Sequence, residues 1–120
     1  MIAVVIVNWN GRRFFERCLR ALEEQSHRAD RVIVVAIPDW GVTPFAEGRD
    51  RAAIAKDIDA FNAVNREEAA AAGAHYADIA DVARRAATDR RLIASDGLHP
   101  SGAMYDEWAR LLLPMARAML

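Results

Sequence analysis

The sequence predicts an α/β fold of order β-α-β-α-β-α, in three layers like one half of a Rossmann or flavodoxin-type domain. Two continuous runs of mostly β-branched residues, at 2–7 and 32–37, are typical of parallel strands covered on both faces. A segment with apolar residues at helical spacing follows each run. We therefore expect a single domain spanning residues 1–120, with a short parallel sheet and right-handed helical connections.

Turn-forming residues end the first predicted strand at 8–11, and an amphipathic helix is predicted over 12–25. Cys18 lies inside this helical pattern, where a free thiol usually behaves as a small buried hydrophobic group. Pro38 ends the second strand because proline has no N–H to donate to the sheet.

A loop over 39–48 precedes a long predicted helix that ends at Gly73, a residue suited to the left-handed C-cap conformation. A weaker strand is predicted over 76–82, with helix as the open alternative for this segment. The last helix contains Pro114, which predicts a bend. Its apolar stripe consists of Met104, Trp108, Leu111, Leu112 and Met115.

Composition excludes several classes of function. The chain has 16 basic and 17 acidic residues and a net charge of -1, which gives no electrostatic basis for binding nucleic acid. The first apolar run is far shorter than the roughly 20 residues of a membrane span and lacks the features of a signal peptide. We expect a cytoplasmic protein with no membrane partner. His27 and His75 have no further donors at metal-binding spacing, so no metal and no cofactor are predicted.

The most specific motif, DGLHPSG at 96–102, directly precedes the last predicted helix. It resembles the final block of the SGNH (GDSL-type) hydrolases, in which an Asp and a His three residues apart complete a Ser-His-Asp triad. The resemblance extends back through IPDWGVTPF at 37–45 and FNAVN at 61–65, and so covers about 32–120. It implies that His99 is a catalytic base and that Asp96 fixes its tautomer.

Residues 1 to about 35 resemble a different family, the family-2 glycosyltransferases, through VVIVNWNG at 4–11 and the segments 15–22 and 31–35. That family binds nucleotide sugars with an Asp after the second strand and a later Asp-x-Asp, and both are missing at the expected places. Asp57 and Asp59 lie within a helix, where their side chains point about 200° apart and cannot chelate one metal.

The two resemblances lead to our main interpretation, an engineered or recombined chimera of a glycosyltransferase-like part (1–35) and an SGNH-like part (36–120). The SGNH nucleophile is a Ser at the exit of the first strand, where this chain has Asn8, Trp9 and Asn10. Asp96 and His99 would then be a vestigial pair with no nucleophile to activate, and no native catalytic function is expected.

Two alternatives remain open: a small carboxyl-ester hydrolase that uses Asp96 and His99, and a weak nucleotide-sugar binding module. In the hydrolase, the nucleophile would be Ser95, activated water or a group of a second chain, since Ser101 fits a helix N-cap. The arginine pairs at 84–85 and 90–91 are interpreted as solvated surface, with a weak anion site as the alternative that such clusters of like charge allow.

Two further expectations concern the edges of the sheet. The loops at the carboxyl ends of parallel strands share one rim, so Asn8, Asn10 and Asp39 are predicted to line a ligand rim. Three apolar strands leave two exposed edges, so we expect a homodimer or higher homo-oligomer that completes the sheet.

Overall fold

The computed structural model describes residues 3–7, 12–26 and 31–119, with side chains from residue 17 onward within those ranges. The strands and α-helices follow the predicted alternation: β1 (Ala3–Val7), α1 (Arg12–Glu23), β2 (Arg31–Val35), α2 (Arg51–Ala71), β3 (His75–Ala77), α3 (Ala80–Arg84) and α4 (Gly102–Ala118). Short 3-10 helices lie at Trp40–Val42, Pro44–Ala46, Arg85–Ala87 and Arg90–Leu92. The α/β class is confirmed.

The three strands form one parallel sheet in the order β1-β2-β3. Val7 is in register with Val35, and Val35 is in register with Ala77. The short parallel sheet that the apolar runs predict is therefore present. Its third strand has only three residues, against the seven predicted over 76–82. Ile79, Ala80 and Ala83 are buried at helical spacing, and this favours α3 in the second half of that segment.

The described residues fall into two compact units. The first contains residues 1–37 and 60–78, and the second contains 38–59 and 79–120. In the first unit Leu19 of α1, Val34 of β2 and Ala69 of α2 form a buried cluster. Leu22, Val32, Ala74 and Tyr76 pack against this cluster. The sheet and two helices thus share one small core.

Asn62 holds the end of β2 in the first unit. Its side-chain oxygen accepts the Ile37 N–H at 2.7 Å, and its Nδ2 donates to the Ile37 carbonyl at 3.0 Å. The neighbouring Ala36 N–H donates to the Ala77 carbonyl at 2.9 Å. Buried backbone groups require hydrogen-bond partners. The Asn62 amide supplies them for Ile37, where β2 has ended and no neighbouring strand among the described residues does so.

Gly73 ends α2 as predicted. Its φ is 68°, and the Ala74 N–H returns to the Ala69 carbonyl at 2.8 Å, which is the bonding of a glycine C-cap. The prediction for Cys18 was wrong, since its side chain is exposed. Cys18 lies about 100° around the α1 axis from the buried Leu19, because successive helical residues are separated by that angle.

In the second unit, α4 packs against α3 and against the 3-10 helix Arg90–Leu92. Leu92, Met104 and Trp108 are all buried there. Ser101 is the N-cap of α4, as predicted, and accepts the Met104 N–H at 3.4 Å. Within the described residues, no helix combines the length and the apolar character that crossing a membrane requires.

Candidate active site

A tight loop at residues 96–99, called here the 96–99 loop, carries the Asp and His of the sequence motif. Ile93 and Pro100 form an antiparallel bridge at its base, and the Ala94 N–H donates to the His99 carbonyl at 2.8 Å. Gly97 has a φ of 75°, a left-handed conformation that glycine adopts without steric cost. This short hairpin-like turn brings the Asp96 side chain onto the backbone of its own loop.

Asp96 accepts three hydrogen bonds. Its Oδ1 accepts the N–H groups of Leu98 and His99, both at 3.0 Å, and its Oδ2 lies 2.5 Å from His99 Nδ1. The Leu98 N–H, followed by the N–H and imidazole of His99, lowers the pKa of Asp96 to about 2. The carboxyl group is therefore ionised at neutral pH.

This ionisation determines the tautomer of His99. An ionised carboxylate is only an acceptor, so Nδ1 of the neutral ring must carry the hydrogen that points to Asp96. The lone pair is then on Nε2. The imidazole is 70% exposed and Asp96 is 50% exposed, so the ring can meet a molecule from solution. The pair can accept a proton at Nε2 and stabilise the resulting imidazolium.

A second segment of the same unit braces the 96–99 loop. The Phe45 N–H donates to the Gly97 carbonyl at 3.0 Å. A Cβ placed on Gly97 would lie 3.3 Å from Pro44 Cβ, so the two backbones approach closely. Ser101 is already engaged, since its hydroxyl donates to the Arg91 carbonyl at 2.5 Å as well as capping α4. The loop is thus held at both ends.

Asp39, predicted to line a ligand rim, is buried, with 2% of its side chain exposed. Its Oδ1 accepts the Gly41 N–H at 2.9 Å, and its Oδ2 accepts Arg84 Nε at 3.0 Å. Arg84 also donates to Asp59 at 2.6 Å, and the hydrogen bonds with Asp59 and Asp39 raise the pKa of the guanidinium. All of these partners belong to the second unit.

The remaining residues considered in the sequence analysis do not join the 96–99 loop in the described part of the chain. Asn8 and Asn10, the remaining residues of the predicted rim, lie outside the described residues, as does His27. His75 is an exposed residue of β3. Over residues 3–7, 12–26 and 31–119, no group of three or more His, Cys, Asp or Glu side chains is arranged to hold a metal ion.

Sequence reasoning missed a cavity of about 260 Å³ beside the 96–99 loop. Its lining residues include the polar Arg90, Ser95 and Asp96 and the apolar Pro44 and Ile93. The interpretation of Arg90 and Arg91 as solvated surface, with a weak anion site as its alternative, does not indicate a cavity, although Arg90 is indeed exposed. The neighbouring Asp89 was the available signal, because a single carboxylate beside two arginines can neutralise only one of them in a bidentate pair.

Two comparisons relate the chain to known proteins. The model of the GDSL-like lipase/acylhydrolase family matches residues 7–107. A solved acetyl xylan esterase from Geobacillus stearothermophilus is similar in fold, with a TM-score of 0.61 and 18% sequence identity over 94% of this chain. The chain spans only 58% of the length of that esterase. A search of curated proteins found no match.

The extent of the family match bears on the chimera interpretation. It starts at residue 7, so it includes most of the segment that resembles a glycosyltransferase. Neither comparison supports a glycosyltransferase segment or a chimera without function. The family match favours the hydrolase alternative, and the structural likeness agrees with it in fold.

Proposed function

The chain belongs to the GDSL-like lipase/acylhydrolase family, and from that premise we propose that it hydrolyses carboxyl esters with His99 as the base. The observation that carries the proposal is the 2.5 Å contact between His99 Nδ1 and the ionised Asp96. This contact leaves Nε2 as the free basic nitrogen of an exposed ring. Such an oriented imidazole is the group that general-base catalysis of acyl transfer requires.

The proposed reaction begins when the oxygen of the nucleophile attacks the carbonyl carbon of the ester and its proton passes to His99 Nε2. Asp96 remains ionised and stabilises the imidazolium. The tetrahedral intermediate then collapses, the bond to the alcohol oxygen breaks, and Nε2 returns the proton to that oxygen. The overall reaction converts ester and water into carboxylic acid and alcohol.

Water is the proposed nucleophile. Asn8, Trp9 and Asn10 follow β1 in this chain, and none of them has a hydroxyl. Ser101 is engaged as the N-cap of α4. Ser95 is exposed and lines the cavity, but its hydroxyl makes no hydrogen bond to His99. Whether Ser95 acts as the nucleophile is tested below with the Ser95→Ala variant.

The test of the base is hydrolysis of 4-nitrophenyl acetate by the full chain. His99→Ala should lower kcat/KM by about 100-fold or more, the range for loss of a general base. His75→Ala is the matched control because His75 is also exposed but lies on β3 of the other unit. Equal rates for the wild type and His99→Ala would contradict the proposal.

The nucleophile is tested separately with Ser95→Ala and a fluorophosphonate probe. If water attacks, Ser95→Ala should retain the wild-type rate and the probe should not label the chain. Stoichiometric labelling that disappears in Ser95→Ala would overturn the water mechanism and assign the nucleophile to Ser95. Circular dichroism of each variant identifies any loss of rate that follows from unfolding.

Self-association is part of the proposal. Within the described residues, β1 and β3 each pair with β2 alone, so each presents one edge with backbone groups available for a further strand. We expect two copies to pair through such an edge at micromolar concentration. Sedimentation velocity measures this directly, and a monomer throughout the micromolar range would exclude it.

A further inference from the structure

The cavity beside the 96–99 loop has a property that ester hydrolysis alone does not explain. Of the two charged side chains in its lining, Arg90 and Asp96, one is fully engaged and the other is not. Asp96 accepts two backbone N–H groups and the imidazole of His99. The guanidinium of Arg90 makes no ion pair or hydrogen bond with any described residue.

The geometry of the adjacent turn explains why Arg90 has no partner among the residues that the structure describes. Asp89 binds Arg91 in a bidentate manner, with Oδ1 at 3.0 Å from Nε and Oδ2 at 2.8 Å from Nη2. This pair raises the pKa of Arg91 and uses both oxygens of the carboxylate. Arg90, one residue before Arg91 in the chain, is left with its planar set of five N–H donors unfilled.

Asp96 does not neutralise Arg90 either. The two side chains line the same cavity, but they form no salt bridge within 4.0 Å in the described part of the chain. The remaining attraction of the cavity for an external anion therefore comes from the guanidinium. A guanidinium binds a carboxylate through two parallel hydrogen bonds, which gives both strength and orientation.

From this arrangement we infer that the cavity is a subsite for a carboxylate group on the ester substrate, bound by Arg90. The inference deepens the proposed function and rests on it, since it names the class of ester on which the His99 base acts. The volume of about 260 Å³ is smaller than that of most ligand pockets and suits one substituent of a substrate. Asp96 lines the cavity and also holds His99, so the cavity adjoins the loop that carries the base.

The kinetic test compares 3-acetoxybenzoate, which carries a carboxylate, with its uncharged methyl ester. Arg90→Gln should lower kcat/KM for the anionic ester about 5- to 10-fold, the effect of losing one exposed charge-assisted pair. It should change kcat/KM for the methyl ester less than about 2-fold. Arg110→Gln is the matched control, because Arg110 is also an exposed arginine of the second unit but is paired with Asp106 on α4. Equal losses on both esters, or an equal effect of Arg110→Gln, would overturn the inference.

A binding measurement separates this inference from the proposed function. The product 3-hydroxybenzoate is titrated into ¹⁵N-labelled protein while the amide signals of Ser95 and Gly97 and the Arg90 side-chain signal are followed. We expect saturable shifts in the wild type, weaker binding in Arg90→Gln and partial rescue in Arg90→Lys, which keeps the charge but loses the planar fork. Saturable shifts without hydrolysis of either ester would refute the proposed function, and with it the role of the cavity as a substrate subsite, while showing that Arg90 binds a carboxylate. Hydrolysis without these shifts would refute the subsite alone.

Discussion

Two aspartates of the second unit have the same local geometry and different surroundings. Asp39 and Asp96 each accept a backbone N–H from the residue two positions later, at 2.9 Å and 3.0 Å. Each also binds a basic nitrogen through Oδ2, Arg84 Nε at 3.0 Å for Asp39 and His99 Nδ1 at 2.5 Å for Asp96. The difference is burial: 2% of the Asp39 side chain is exposed, against 50% for Asp96.

Burial explains why the two residues have different roles. A buried carboxylate has lost its water shell, so it depends on every partner, and removing one leaves charge without compensation. An exposed carboxylate can exchange its partners for water at small cost. Asp39 is therefore positioned to stabilise the fold, while Asp96 can hold a base that works at the surface. The same turn geometry stabilises the fold at Asp39 and, in the proposed function, supports chemistry at Asp96.

The largest expected effect is on stability at the buried member of the comparison. Asp39→Ala should lower the free energy of unfolding by about 2–3 kcal/mol, because the Gly41 N–H loses its acceptor and Arg84 keeps only Asp59. Asp96→Ala should leave the urea midpoint at neutral pH nearly unchanged while lowering ester hydrolysis. Urea denaturation of both variants measures this, and equal shifts would break the comparison.

The glycines beside the two aspartates provide a second test. A Cβ on Gly41 would lie 2.9 Å from both Asp39 Oδ1 and Ile54 Cγ2, so Gly41→Ala should cost about 1–3 kcal/mol. Gly97→Ala should cost about 1 kcal/mol, mainly because its φ of 75° disfavours a side chain.

Gly102→Ala is the control for both glycine substitutions, since no atom lies within 4 Å of the position that its added methyl group would take and its φ is ordinary. Thermal unfolding should place the variants in the order Gly41→Ala, Gly97→Ala and Gly102→Ala, from the least to the most stable. A Gly41→Ala protein as stable as the control would show that the backbone near Asp39 adapts freely.

A third test concerns the cause of the low pKa of Asp96. The Leu98 N–H contributes most and the imidazole contributes less, so His99→Ala should leave the pKa of Asp96 well below its usual value. In contrast, Arg91→Gln should raise the pKa of Asp89, now about 2, part of the way to its usual value, because the side-chain hydrogen bonds of Arg91 are the largest cause of the shift and the backbone N–H of residue 91 remains. Carbon-13 NMR titration of the carboxyl groups measures both, and a normal pKa for Asp96 in His99→Ala would contradict this order of causes.

The smallest expected effect is a pH dependence of the free energy of unfolding that follows from the lowered pKa of Asp96. Because folding lowers the pKa of Asp96, its stabilising effect is present above the unfolded pKa and is lost as the pH falls from about 4 to about 2. The difference in urea midpoint between the wild type and Asp96→Ala should be no larger at pH 2 than at pH 6. A difference that grows in acid would have the wrong sign.

The order of the elements and the core of the candidate site were predictable from the sequence. Apolar runs and helical periodicity identify β1, α1, β2 and α2 because strand and helix have different repeats. The Gly73 and Ser101 caps, like the Asp96–His99 contact, form between residues within five positions of each other. Bonds of such short span are encoded by neighbouring residues and depend little on the rest of the chain.

Tertiary structure alone decided burial. Asp39 is buried and paired because Arg84, 45 residues later in the chain, reaches it, and nothing near Asp39 in the sequence indicates that partner. The exposure of Cys18, the shortness of β3 and the cavity at Arg90 have the same origin. Solvent exposure depends on which distant segments pack together, and it is this exposure that separates a structural carboxylate from one that can support catalysis.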